Sequence, residues 1–125
     1  MSRVTGLGAA ASAQRAYDRP MAIFAVHYTY SDDTEARDEH RSAHREFLGA
    51  LASEGVVLIS GPYAEVDEAP DAALILLRGD SAAELVELMR EDPFQQQGLV
   101  EQVAVREWTP VLGAWFEGPL ADDLR

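Results

Sequence analysis

The sequence predicts an α+β chain of element order βαββαβ, the split arrangement of the ferredoxin-like folds, and three observations lead there. Four segments carry β-branched and aromatic residues in runs too short for helices. Two longer segments open on capping signatures and carry apolar residues at helical spacing. The two kinds alternate as strand, helix, strand, strand, helix, strand. Such an order folds as one four-stranded antiparallel sheet with two helices on one face.

The first strand is MAIFAVHYTY, residues 21 to 30, apolar on both of its alternating faces. SDDTE follows, where Asp32 with Glu35 three residues on forms a capping box, and a helix runs from there to about Glu54 before Gly55 stops it. VVLIS, residues 56 to 60, reads as a short buried strand closed by Gly61-Pro62. An acidic polar turn spans residues 65 to 71, and AALILLR, residues 72 to 78, is a strand apolar on both faces. Ser81 and Glu84 repeat the capping box, and the second helix gathers Ala82, Leu85, Leu88 and Met89 on one side before Asp92-Pro93 ends it. Asp92-Pro-Phe-Gln can itself cap a short turn, and VEQVAVREWTPV supplies the last strand.

Residues 1 to 20 lack a period and read as an N-terminal extension, residues 21 to 116 as the one domain, and residues 117 to 125 as a solvated tail. Two strands that are apolar on both faces leave one sheet face to be covered, and a second copy of the chain is the economical cover. A homodimer is therefore expected.

Composition removes whole classes of function. The 125 residues include no Cys, which excludes thiolate nucleophiles and iron–sulfur sites, and no Lys, which excludes Schiff-base and P-loop lysines. A net charge of −12 disfavours nucleic acid and anionic membranes as partners. No apolar run reaches the length of about 20 residues that spans a bilayer, and the N-terminus lacks the apolar core of a secretory signal. A cytoplasmic location is the expectation.

The segment RDEHRSAHREF, residues 37 to 47, is where the chemistry concentrates. With His44 as reference, Leu51, Leu48 and Phe47 fall at about −20°, +40° and −60° on the helix and define the buried direction. Arg37, His40 and Arg41 fall in the same sector, at about +20°, −40° and +60°. The stripe changes from apolar to cationic without turning away. A helix that overshoots the sheet would explain Arg37 and His40 as a hydrated face. His44, one turn before Leu48, instead needs a polar partner. If the helices lie side by side, His44 and Asp92 both sit roughly 15 Å along their helices, so the two side chains can meet. Asp92 also has an ordinary explanation as the cap of the Pro93 turn, and the two roles are compatible.

Arg37-x3-Arg41-x2-His44, then GVVLISGP, then Asp92-Pro93-Phe94 with Gly98 and VEQVAVREW, together resemble the YciI-like (YCII-related) proteins over residues 21 to about 112. The resemblance implies a dimeric α+β barrel of ferredoxin-like protomers and an active site in which His44 faces Asp92, with Arg37 and Arg41 lining the same cleft. It also implies that acid–base elimination is within reach, since a member of that family removes chloride from an aromatic compound.

An Asp that accepts one imidazole proton fixes the tautomer and raises the basicity of the other nitrogen, so His44 is a candidate general acid or base with Asp92 as its partner. Arg37 and Arg41, with His40 and Ser60 beside them, are candidates to hold a small anionic or phenolic substrate. Isomerisation, elimination or dehydrochlorination would need no cofactor. Ser60 lacks a nucleophile elbow, which argues against a hydrolase. His40 and His44 at i, i+4 with Asp92 have metal-ligand spacing, but two adjacent arginines oppose a cation, and no metal is expected. His27 and the residues Tyr28, Tyr30, Tyr63, Trp108 and Trp115 are first explained by packing of strands and dimer. Two further readings use the same residues: a non-catalytic dimeric protein that binds a small acidic ligand, and a dyad that merely ties two elements together.

Overall fold

The structure is a computed structural model and describes residues 21–116. The expected extension, residues 1 to 20, and tail, residues 117 to 125, lie outside the described residues. The elements are β1 (Ala22–Tyr30), α1 (Thr34–Ser53), β2 (Val57–Pro62), β3 (Ala72–Gly79), α2 (Ala82–Met89), α3 (Pro93–Gln96), β4 (Val100–Glu107) and a 3₁₀ turn (Ala114–Phe116). All strand pairs are antiparallel and their order is β2-β3-β1-β4. This is the ferredoxin-like α+β fold.

Period-2 alternation decides which side chains meet the helices. In β1, Phe24, Val26, Tyr28 and Tyr30 are buried, and the register sets Phe24 opposite Leu77, Val26 opposite Ile75 and Tyr28 opposite Ala73. Leu48 and Leu51 of α1, Leu85 and Met89 of α2, and Phe94 of α3 close over them as one core. Burial of this kind gives about 1.5–3 kcal/mol for each large apolar side chain, so these positions carry the stability. Gly79 ends β3 beneath Leu85, where a Cβ would lie 2.9 Å from Leu85 Cδ2, so the missing side chain sets how closely α2 approaches the sheet.

The other face presents Ala25 and His27 from β1 beside Leu76 and Leu74 of β3, with Ile59 of the edge strand opposite Leu76. Among the described residues, neither long helix lies on this side. His27 stands there with its ring 5.3 Å from Tyr63, which fits a packing or interface imidazole.

Local details depart from expectation in four places. Asp33, not Asp32, caps α1, its carboxylate accepting from the Ala36 N–H. Two adjacent aspartates offer the same chemistry, and the backbone turn chooses between them. The second strand is not a buried one: only Val57 is buried, and the strand runs through Gly61 and Pro62. Pro62 fits because β2 is an edge strand, where a missing N–H leaves no ladder bond unmade. α2 stops at Met89 because Arg90, Glu91 and Asp92 tighten into bonds to the residue three back before Pro93. β4 ends at Glu107, short of the Thr109-Pro110 pair, whose proline has no N–H to offer the ladder.

Candidate active site

The site lies where α1, α3 and the helix-facing side of β1 meet. α1 carries Arg37 and His44 into the protein, at 7% and 8% exposure, while Leu48 and Leu51 continue the same stripe. The overshooting-helix explanation therefore fails for Arg37. A cationic residue is buried there because it is partnered: its Nη2 donates to Asp71 Oδ2 at 2.7 Å, and its guanidinium carbon sits 4.8 Å above the Tyr30 ring.

Asp92 is fully buried and binds three groups. Oδ1 accepts from the Phe94 N–H at 2.9 Å, which caps α3. Oδ2 accepts from the Tyr28 hydroxyl at 2.8 Å. Nδ1 of His44 stands 2.9 Å from Oδ1 and 3.0 Å from Oδ2. Because the other two partners are donors, the carboxylate is an acceptor throughout, and the network assigns the His44 proton to Nδ1. His44 also lines the cleft beside the network. Phe94 stacks on the imidazole, centroids 3.9 Å apart and planes 6° from parallel.

Burial, reinforced by the Asp92 carboxylate, pushes the Tyr28 phenol far above its ordinary range. The Tyr30 phenol is pushed up to about 12, mainly by burial and also by Asp92, against the opposing pull of Arg37 and Arg41. Both phenols are thus neutral, and the Tyr28 hydroxyl donates to Asp92.

A cleft of about 550 Å³ opens beside this network, lined by His44, Arg37, Arg41, Arg45, Ser60 and Phe94 among others. Arg41 is partly exposed and pairs with Asp38 on its own helix at 2.5 Å. Ser60 reaches the cleft from β2. His40 does not: it is absent from the lining and its nearest charged neighbour is Glu39, 3.9 Å away. At about −40° it lies on the other side of His44 from Arg37, Leu48 and Arg41, at about +20°, +40° and +60°, which line the cleft. Among the described residues, no three of His, Cys, Asp and Glu converge as metal ligands, and no helix is long and apolar enough to cross a membrane.

Tyr28, Gln95, Phe94 and Asp71 were not expected at the site. Tyr28 reads as an ordinary core residue from its place in the alternation, and Asp71 reads as part of a solvated turn. Only the unpaired needs of Arg37 and Asp92, two buried charges, could have pointed to them.

The YCII-related domain matches residues 21–109. No curated protein sequence matches the chain. Among solved structures, 5-chloro-2-hydroxyhydroquinone dehydrochlorinase (TftG) from Burkholderia phenoliruptrix AC1100, in complex with 2,5-dihydroxybenzoquinone, is 20% identical, with 69% of this chain and 92% of that chain covered at a TM-score of 0.57. A Bacteroides thetaiotaomicron protein provisionally named an antibiotic biosynthesis monooxygenase is 19% identical, covering 75% and 92%, with a TM-score of 0.48. Rv0793 from Mycobacterium tuberculosis is 17% identical, covering 75% and 98%, with a TM-score of 0.44. At such identities the likeness is one of fold.

Proposed function

The chain belongs to the YCII-related family, and from that premise we propose that it is a cofactor-independent acid–base enzyme acting on a small anionic or phenolic substrate, as an isomerase, lyase or dehydrochlorinase. The observation that carries this is the His44 Nδ1 to Asp92 contact at the wall of a cleft that also holds Arg37 and Arg41. Nε2 takes a proton from a substrate carbon or hydroxyl. Asp92 stabilises the imidazolium formed, from the Nδ1 side, without moving. Arg41, and Arg37 behind it, stabilise the negative charge that develops on an enolate or phenolate oxygen. In isomerisation the same nitrogen returns the proton to another carbon; in elimination a leaving group such as chloride departs with its bonding electrons. The dehydrochlorination named for the Burkholderia protein is chemistry of this class.

The working form is a homodimer. The helix-free sheet face, where Ala25 and Leu74 are half-buried and Ile59 is exposed, supports face-to-face pairing of two sheets. A cytoplasmic location fits a chain without cysteine.

A turnover screen of small hydroxy acids, halophenols and hydroxyquinones, with His44→Ala as control, tests the reaction. Turnover by the wild-type chain that is lost in His44→Ala is the expected result. Turnover that survives in His44→Ala removes the assigned base. Binding without turnover in any substrate class transfers the site to a ligand-binding protein that uses the same arginines.

A further inference from the structure

Behind the dyad stand two groups that the proposed reaction does not touch. Tyr28 is wholly buried in the central strand, and its hydroxyl donates to Asp92 Oδ2 at 2.8 Å. Gln95 Nε2 donates to that same phenol oxygen at 3.1 Å. An oxygen already accepting from Gln95 directs its own proton to the carboxylate. Resting on His44 as the proton-transfer group, we infer that Tyr28 and Gln95 are positioning residues that hold Asp92 as an acceptor only, and so keep the His44 proton on Nδ1 with Nε2 bare toward the cleft.

Three features of the geometry lead to this. First, each carboxylate oxygen has its own fixed donor, the Phe94 N–H on Oδ1 and the Tyr28 hydroxyl on Oδ2, so the carboxylate cannot rotate. Second, His44 Nδ1 is almost equidistant from the two oxygens, at 2.9 and 3.0 Å, which places it in front of a carboxylate whose plane is already set. Third, the opposite tautomer would turn the Nδ1 lone pair on two acceptor oxygens of a carboxylate buried away from solvent, a repulsive contact. The raised Tyr28 phenol supports the same role: it donates a hydrogen bond without surrendering the proton. The clamp joins distant parts of the fold, with Tyr28 from β1 and Gln95 from the turn that Asp92 itself begins. Outer partners that orient an imidazole in this way commonly decide its tautomer.

The ring nitrogens of His44 report the tautomer directly in long-range proton–nitrogen correlation spectra, recorded without ligand at a pH where the ring is neutral. The wild-type chain is expected to show a single Nδ1–H form. Tyr28→Phe, which removes one oxygen and keeps the ring, is expected to give a mixture of the two forms, and Gln95→Leu a smaller displacement in the same direction. A Tyr28 of structural importance alone would lower the melting temperature and leave the tautomer unmoved, which overturns the inference. Should Tyr28→Phe fail to fold, Gln95→Leu decides, because an unchanged Nδ1–H form in that variant also overturns it. A wild-type chain that already shows the mixture removes the lock at its root. Turnover surviving in His44→Ala would instead remove the base and leave a tautomer lock standing, so the two failures are distinguishable.

Discussion

His44 and Phe94 lie face to face, ring centroids 3.9 Å apart and planes within 6° of parallel. Phe94 is the second residue of the turn that Asp92 caps, so one short segment supplies both the in-plane partner of the imidazole and its cover. Nδ1 fixes the direction of the ring and Phe94 fixes its tilt. A group held in two independent ways loses little freedom when a substrate arrives, which is what proton transfer requires.

Phe94→Leu should therefore separate activity from stability. Leucine keeps most of the apolar burial, and the cost in unfolding free energy should stay near 1–2 kcal/mol. Turnover should fall by a larger factor, on the order of tenfold or more, because the ring can tilt. Parallel denaturation and rate measurements check this, and a rate loss no greater than the stability loss predicts would make the stacking incidental.

Asp92→Ala should be among the most damaging single changes outside the apolar core. It leaves the Tyr28 hydroxyl, the Phe94 N–H and His44 Nδ1 without their acceptor and removes the cap of α3. A loss of roughly 2–4 kcal/mol in urea unfolding is expected. Asp92→Asn, which can still accept from some of these donors, should lose less.

High pH should unfold the protein for a definite reason. In the unfolded chain Tyr28 and Tyr30 titrate near their ordinary value of 10.0, whereas in the folded protein Tyr30 is pushed up to about 12 and Tyr28 higher still. The folded state keeps protons that the unfolded state releases. Stability is thus full below the unfolded value and declines as pH rises from about 10 toward 12. The urea midpoint should drop between about pH 10 and pH 12, with part of the tyrosinate absorbance appearing only as the chain unfolds. Phenolate absorbance that develops fully in the native protein would contradict the burial of both rings.

Gly79→Ala should destabilise by about 1–3 kcal/mol, since the new methyl meets buried Leu85 at 2.9 Å with nowhere for either to go. Thermal unfolding reads this directly. A neutral result would mean that α2 can slide on the sheet.

Leu74→Glu tests the paired sheets. Leu74 faces away from the helices, opposite His27. A carboxylate there should leave the protomer folded and produce monomers in size exclusion with light scattering, where the wild-type chain is expected to run as a dimer. A wild-type monomer at micromolar concentration would remove the dimer altogether.

The order of the elements was legible because hydrophobic period and capping residues speak to neighbours in sequence. Ser81 accepts from the Glu84 N–H as its signature foretells, and Gly55 leaves α1 with a positive φ of 81°. Asp92 could be matched with His44 because both sit at the same height on adjacent elements. Tyr28 could not be matched with Asp92, 64 residues away, because nothing in a strand's alternation distinguishes a tyrosine that packs from one that also donates. The Arg37 to Asp71 pair was hidden for a related reason. The acidic segment is irregular, and the side chain that turns inward is chosen by the backbone bond from the Tyr30 N–H to the Asp71 carbonyl. His40 falls within the buried sector by angle, but the cleft opens on the other side of His44, along Arg37, Arg41 and Arg45, and the helical angles alone do not say on which side a cleft lies.

One carboxylate both starts a four-residue helix and steadies an imidazole, so the shortest α-helix among the described residues acts as its arming catch. Helices of a single turn open far more readily than the sheet beneath them. Each such opening would idle the imidazole while the rest of the protein stayed whole, and an inhibitor that simply pried residues 92 to 96 loose could silence this chain without ever resembling its substrate.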